Sequence, residues 1–105
     1  MAAEFSRIGE LLVIAPTGEI DHHETKELRR EMDAEILDAM PKKIVFDLSR
    51  TTFMDSSGLG LILGRFNKAT ELGIEMELVN PGDKIMRILS MAGVDKIVKV
   101  KGIER

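Results

Sequence analysis

The sequence contains no cysteine, no tryptophan and no tyrosine, and only three prolines. Without cysteine there is no disulfide framework, no thiolate metal site and no cysteine nucleophile. The four aromatic residues are all phenylalanine and the basic residues are scattered, so there is neither a stacking platform nor a basic stripe for nucleic acid. The longest unbroken apolar run is Leu11 to Ala15, far short of the roughly 20 residues a helix needs to cross a bilayer. The N-terminus, Met1-Ala2-Ala3-Glu4-Phe5, has no basic patch followed by an apolar stretch, so no secretory signal is expected. These absences together lead us to expect a cytoplasmic protein with no direct nucleic-acid or membrane partner.

What is present suits one globular domain covering 1–105. Of the 105 residues, 44% are hydrophobic and 31% charged, enough apolar material for a core and too short a chain for two. The net charge is −3 and unevenly spread. Up to Met40 there are ten acids and four bases; from Pro41 onward there are eight acids and eleven bases. Lys96, Lys99 and Lys101 fit an exposed strand edge, which lysine protects from pairing.

Periodicity gives the elements. Phe5–Ile8 and Leu11–Ala15, separated by Gly9-Glu10, read as a hairpin, broken by Pro16-Thr17-Gly18. Asp21 with Glu24 three residues later fits a capping box. Leu28, Met32, Ile36 and Met40, with Leu37 filling the stripe, predict a helix over 22–40 that Pro41 stops. Ile44–Leu48 has the continuous apolar character of a central strand, and Ser49–Met54 reads as a loop. From Gly58, Leu59, Ile62, Leu63, Phe66 and Ala69 share one helical face, and Gly73 stands at the C-terminal end. Ile74, Met76 and Leu78 alternate with Glu75 and Glu77, predicting a strand with one buried face. Pro81-Gly82 turns the chain into a short helix through Ile85, Ile88, Leu89 and Ala92, ended by Gly93. Ile97–Val100 reads as the last strand. Strands alternating with helices in the order ββαβαβαβ imply an α/β domain with a mixed, largely parallel sheet covered by helices. Most of the seven methionines fall on apolar positions and read as packing.

Enzyme motifs fail on inspection. Gly58, Gly60 and Gly64 lack the Gly-Lys-Ser/Thr ending of a phosphate loop, and Leu63 stands where a dinucleotide fingerprint needs its third glycine. No glycine stands two places before Ser56 or Ser57, as a nucleophile elbow requires. His22 and His23 are adjacent and would diverge on a helix, so no metal is expected there. No catalytic residue and no cofactor is assigned, and the chain is expected not to be an enzyme.

The segment Phe53-Met54-Asp55-Ser56-Ser57-Gly58-Leu59-Gly60 is chemically distinct. Two hydroxyls, a carboxylate and two glycines stand where a helix begins. Unpaired amides at a helix start attract negative charge and would tolerate a phosphoserine. Gly58 and Gly60 would let another chain approach the backbone. The same residues also make an ordinary helix cap, and composition alone leaves both readings open.

Phe53 to Arg65 resembles the signature of bacterial anti-sigma factor antagonists, which are single STAS domains; Gly18-Glu19-Ile20-Asp21-His22-His23 and Ile85 to Val100 are similar to that family's other characteristic stretches. The three matches run through nearly the whole chain in the family's order, and the sporulation type, antagonists of an anti-sigma F factor, is the most similar. The resemblance implies a STAS fold and a partner switch. On that reading the unphosphorylated protein binds an anti-sigma factor that is a serine kinase, with ATP and magnesium held by that partner, and a sigma factor is released. The acceptor would be Ser56, and a metal-dependent serine phosphatase would reverse the modification. Partner contacts would come from Asp21, His22, Asp55, Ser56, Ser57, Gly58, Leu59, Gly60 and Leu61. Leu61 lies off the main apolar face and so is expected to be an exposed contact, and Asp21 is expected to cap the first helix, to touch the partner, or both. Sporulation antagonists carry a further helix after the last strand, for which no residues remain beyond Arg105. Two other readings stay open at this point: a STAS scaffold or binding module within a larger signalling complex, and a nucleotide-binding STAS domain.

Overall fold

The computed structural model describes residues 2–102, the side chain of Ala2 excepted; the expectation about the chain end at Arg105 lies outside them. The elements are β1 (Ala2–Ile8), β2 (Leu11–Ile20), α1 (Thr25–Ala39), β3 (Lys43–Asp47), β4 (Thr51–Met54), α2 (Ser56–Leu72), β5 (Glu75–Val79), α3 (Asp83–Met91), one turn of 3₁₀ helix (Val94–Lys96) and β6 (Lys99–Lys101). The sheet runs β1-β2-β3-β5-β6, with β4 also paired to β2. β1 and β2 are antiparallel, joined by a hairpin in which Gly9 takes φ +60°, a conformation glycine adopts without strain. The other pairings are parallel, as the α/β reading expects.

Alternation along the strands supplies one wall of the core. Leu12, Ile14, Ile44, Phe46, Met76 and Leu78 are buried, and α1 covers them with Leu28, Met32 and Ile36. α2 adds Leu61, Ile62 and Ala69, and α3 adds Ile85 and Leu89. Burying each large aliphatic side chain contributes about 1.5–3 kcal/mol, so this layered core is what fixes the helices on the sheet.

Several expectations need correction. Ser49–Met54 is not all loop: Thr51–Met54 forms β4, parallel to the far half of β2. Four residues with both middle positions exposed are too few to show a strand period. Pro16-Thr17-Gly18 does not end β2 either. Pro16 sits where the pairing with β3 has ended at Ile14 and that with β4 has not yet begun. Gly18, at φ +85°, marks a shift in register there. α1 starts at Thr25, because 22–24 form a turn. Met40 is the left-handed C-cap at φ +41°, just before Pro41, and Leu37 turns outward. α2 begins at Ser56, two residues before Gly58. The last strand is Lys99–Lys101, since Val94–Lys96 winds into a 3₁₀ turn capped by Ile97. Met40 and Met91 are exposed, Met91 at 82%, so they do not pack the core as Met32, Met54 and Met76 do.

Two buried charges were not legible from alternation. Glu77 is only 6% exposed; Lys43 from β3 reaches it at 3.2 Å and Lys101 from β6 at 3.6 Å, so strands on both sides neutralise it. Arg65 of α2 is 6% exposed and its Nε lies 2.9 Å from Asp33 Oδ1 of α1. Burial pushes the Arg65 pKa down, opposed by the Asp33 charge. We expect Asp33→Ala to lower the unfolding free energy by about 2 kcal/mol, because it strands a buried cation. Adding Arg65→Met should recover most of that loss; urea denaturation of the single and double variants checks both.

Candidate functional site

The site lies at the carboxyl ends of β2 and β4, the rim where open α/β sheets carry their ligands. Ile20 of β2 is in register with Met54 of β4, and the Asp55 amide donates to the Ile20 carbonyl at 3.3 Å. Two loops far apart in sequence, 21–24 and residue 55, therefore leave the sheet side by side.

Asp55 is the N-cap of α2. Its extended backbone lets Oδ1 accept from the amides of Ser57 at 2.9 Å and Gly58 at 3.1 Å, the geometry of an aspartate cap. Its other oxygen, Oδ2, lies 4.0 Å from His22 Nδ1. Asp21 does not cap α1. Its Oδ1 accepts from the His23 amide at 3.1 Å and its carbonyl accepts from the Glu24 amide at 3.2 Å, so it folds the turn that precedes the helix. His22 and His23 stand on that turn with ring centroids 4.0 Å apart, not diverging on a helix as expected. Among the described residues, no three His, Cys, Asp or Glu side chains group to hold a metal ion.

The Asp55 cap bears directly on how a phosphate would sit. Ser56 is exposed and is the first residue of α2. The amides of Ser57 and Gly58, the next two donors of the helix, are already engaged by Asp55. A phosphate on Ser56 would thus meet solvent and a carboxylate, not a cradle of vacant amides. Ser57 is half-buried, facing the gap between α1 and α2.

The structure brings Asp21, His22, Asp55, Ser56 and Ser57 together and sorts the remaining expected contacts by depth. Gly58 is buried, and a Cβ there would come within 2.8 Å of both the Ile20 carbonyl oxygen and Met54 Cβ. Its small size serves the packing of α2 on β2 and β4, not the approach of another chain. Gly60 is exposed with open space beside it, and Leu59 is half-buried against the core. Leu61 is 5% exposed, contrary to its expected role as a surface contact. α1 packs across α2, so α2 buries a second face besides the one on the sheet, and a single apolar stripe does not reveal that. Phe53 was hidden in the presumed loop. It is a partly exposed aromatic on β4, and the Lys84 ammonium of α3 lies 5.2 Å from its ring centroid, within cation–π range. β4 is too short and does not alternate, so no sequence period marked it.

Gly58→Ala is expected to destabilise the protein by about 1–3 kcal/mol, since rigid neighbours must move. Gly60→Ala, in an open helical position, should be neutral or stabilising by up to about 1 kcal/mol. Urea midpoints of the two variants test the contrast.

Comparison with known proteins places this geometry. Residues 2–103 match the sequence profile of the STAS domain. The chain is 38% identical over 90 residues, 86% of its length and 77% of the relative's, to an anti-sigma F factor antagonist of Paenibacillus polymyxa. Its fold superimposes on the unphosphorylated form of the anti-sigma factor antagonist SpoIIAA with a TM-score of 0.80 at 27% identity, covering 94% of this chain and 87% of that one. On the phosphorylated form of the Bacillus cell fate determinant SpoIIAA it superimposes with a TM-score of 0.72 at 28% identity, covering 94% and 90%.

Proposed function

The chain belongs to the STAS domain family, and on that premise we propose that it is an anti-sigma factor antagonist switched by phosphorylation of Ser56. The observation that carries the reading is the position of Ser56. It is exposed at the first turn of α2, on the rim formed by β2 and β4, one residue from a carboxylate whose Oδ1 is already engaged. The names of its relatives agree with an antagonist of anti-sigma factors.

In the unphosphorylated state the rim presents Asp21, His22, Ser56, Ser57 and Gly60, with Asp55 behind them, as the surface that meets an anti-sigma factor. That partner is a serine kinase which brings its own ATP and magnesium, so this chain is the substrate and not the catalyst. Transfer forms the Ser56 Oγ–P bond and breaks the bond from the γ-phosphorus to the β–γ bridging oxygen of ATP; ADP leaves and the hydroxyl proton goes to a base of the kinase. The new group adds about −1.5 to −2 charges beside Asp55 and near Asp21. Inside a contact, that charge is repelled by the two carboxylates and poorly solvated. A loss of about 3 kcal/mol corresponds to roughly a hundredfold weaker binding. The core lies below Gly58 and does not have to move, so the switch is local. A serine phosphatase resets it by hydrolysis, and the setting is the cytoplasm.

Intact-mass spectrometry after incubation with ATP and the anti-sigma factor kinase of the same organism should show one added phosphate, absent from Ser56→Ala. Ser56→Asp should bind that kinase at least tenfold more weakly than the parent in calorimetry. Phosphate retained in Ser56→Ala would move the acceptor to Ser57. No phosphate with a demonstrably active kinase would end the switch reading.

A further inference from the structure

β1 is an edge strand, paired to β2 on one side only. It runs for seven residues, whereas the opposite edge, β6, has three and carries Lys99 and Lys101. A long free edge is a template for another strand unless charge or proline blocks it. β1 has no proline, and both of its charges are engaged within the domain. Arg7 Nη2 lies 3.1 Å from Glu35 Oε1 and 2.8 Å from Asp38 Oδ2 of α1, and Glu4 Oε1 lies 3.1 Å from Arg50 Nη1. We propose that this edge takes up an extended segment of another protein as a further strand, and that the segment carries basic side chains on either side of an apolar one.

The hairpin fixes which backbone groups are on offer. Ile8 and Leu11 flank its two-residue turn and are in register, and residues in that position exchange hydrogen bonds with each other. Alternation back from Ile8 commits the backbone of Ser6 and Glu4 to β2. The amides and carbonyls of Arg7, Phe5 and Ala3 then point outward. On the sheet, Phe5 is in register with Ile14 and Arg7 with Leu12, both of them under α1, so the side chains of these three residues share the helix side.

α1 decides the chemistry of the occupant. Beside Phe5 is a hollow of about 530 Å³ walled by Glu31, Ala34, Glu35 and Asp38. Arg7 answers Glu35 and Asp38, Arg30 is engaged with Glu27, and Glu31 is exposed. Three acids of the hollow therefore face one cation. In a strand laid along β1, the residue opposite Phe5 meets Phe5 and Ala34, which favours an apolar side chain. The positions two residues to either side approach Glu31 at one end and Glu35 with Asp38 at the other, which favours basic ones. The same charges argue against a second copy of this chain, because a two-fold axis through Phe5 would bring the acidic flanks of two α1 helices together. None of these residues belongs to the rim at Ser56, and the inference does not depend on the switch.

The test is a titration of ¹⁵N-labelled protein with the peptide acetyl-Thr-Lys-Thr-Val-Thr-Lys-Thr-amide. Saturable downfield shifts of the Ala3, Phe5 and Arg7 amides are expected, with the amides of Lys99 and Lys101 unmoved. Glu31→Lys should weaken binding roughly threefold. Ala3→Pro removes an outward N–H and spares the ladder to β2; it should weaken binding about fivefold at an unchanged melting temperature. No saturable shift, binding unaltered in both variants, or equal binding of the same peptide with glutamate in place of lysine would overturn the proposal. Concentration-dependent shifts of the same three amides without peptide would overturn it too, and would assign the edge to a second copy.

Discussion

The pairing of β4 with the far half of β2 sets the position of everything at the functional rim. β2 is ten residues long, and β3 uses only its first part. The chain leaves β3, crosses Leu48 to Arg50 and lies down again beside Gly18 to Ile20. The Gly18 amide donates to the Arg50 carbonyl at 2.9 Å and the Thr51 hydroxyl to the Pro16 carbonyl at 3.0 Å, which ties the junction together. From there Asp55 must emerge next to Asp21. The glycine at 58 then lets α2 settle against both strands, and the Asp55 cap fixes where its first turn starts. Remove the β2–β4 pairing and the residues of the rim have no common address.

Most of the architecture follows from short-range patterns. Leu28, Met32 and Ile36 repeat at helical spacing and are buried; Met76 and Leu78 alternate and are buried. The rim was legible for a different reason: an aspartate, two serines and a glycine after an apolar run form a local cap, and local caps are written in consecutive residues. What escaped was set by contacts between distant segments. Leu61 is buried because α1 crosses α2. Gly58 faces inward because Ile20, far away in sequence, lies beneath it. Asp21 caps a turn instead of a helix, because the chain needs three more residues to swing from β2 into α1. Glu77 looked like the outward half of an alternating strand until lysines from two neighbouring strands closed over it.

The buried charges divide along the same lines. Glu77 has a lysine on either side and acts as an electrostatic tie across three strands. Arg65 has a single, poorly aligned partner. Both are isolated charged letters in the sequence, and only the geometry shows that each is neutralised by residues of other elements.

The depth ordering at the start of α2 has an evolutionary consequence. Ser56 and Gly60 are surface positions, whereas Gly58 and Leu61, interleaved with them on the same helical turns, are held by the packing beneath. Substitutions at the outer set can change what is recognised with little penalty to folding, and substitutions at the inner set are removed by selection for stability whatever their effect on recognition. A lineage can therefore drift toward new binding specificities through two or three outer letters of this helix. The inner letters are constrained by folding, whatever partner the outer ones come to meet.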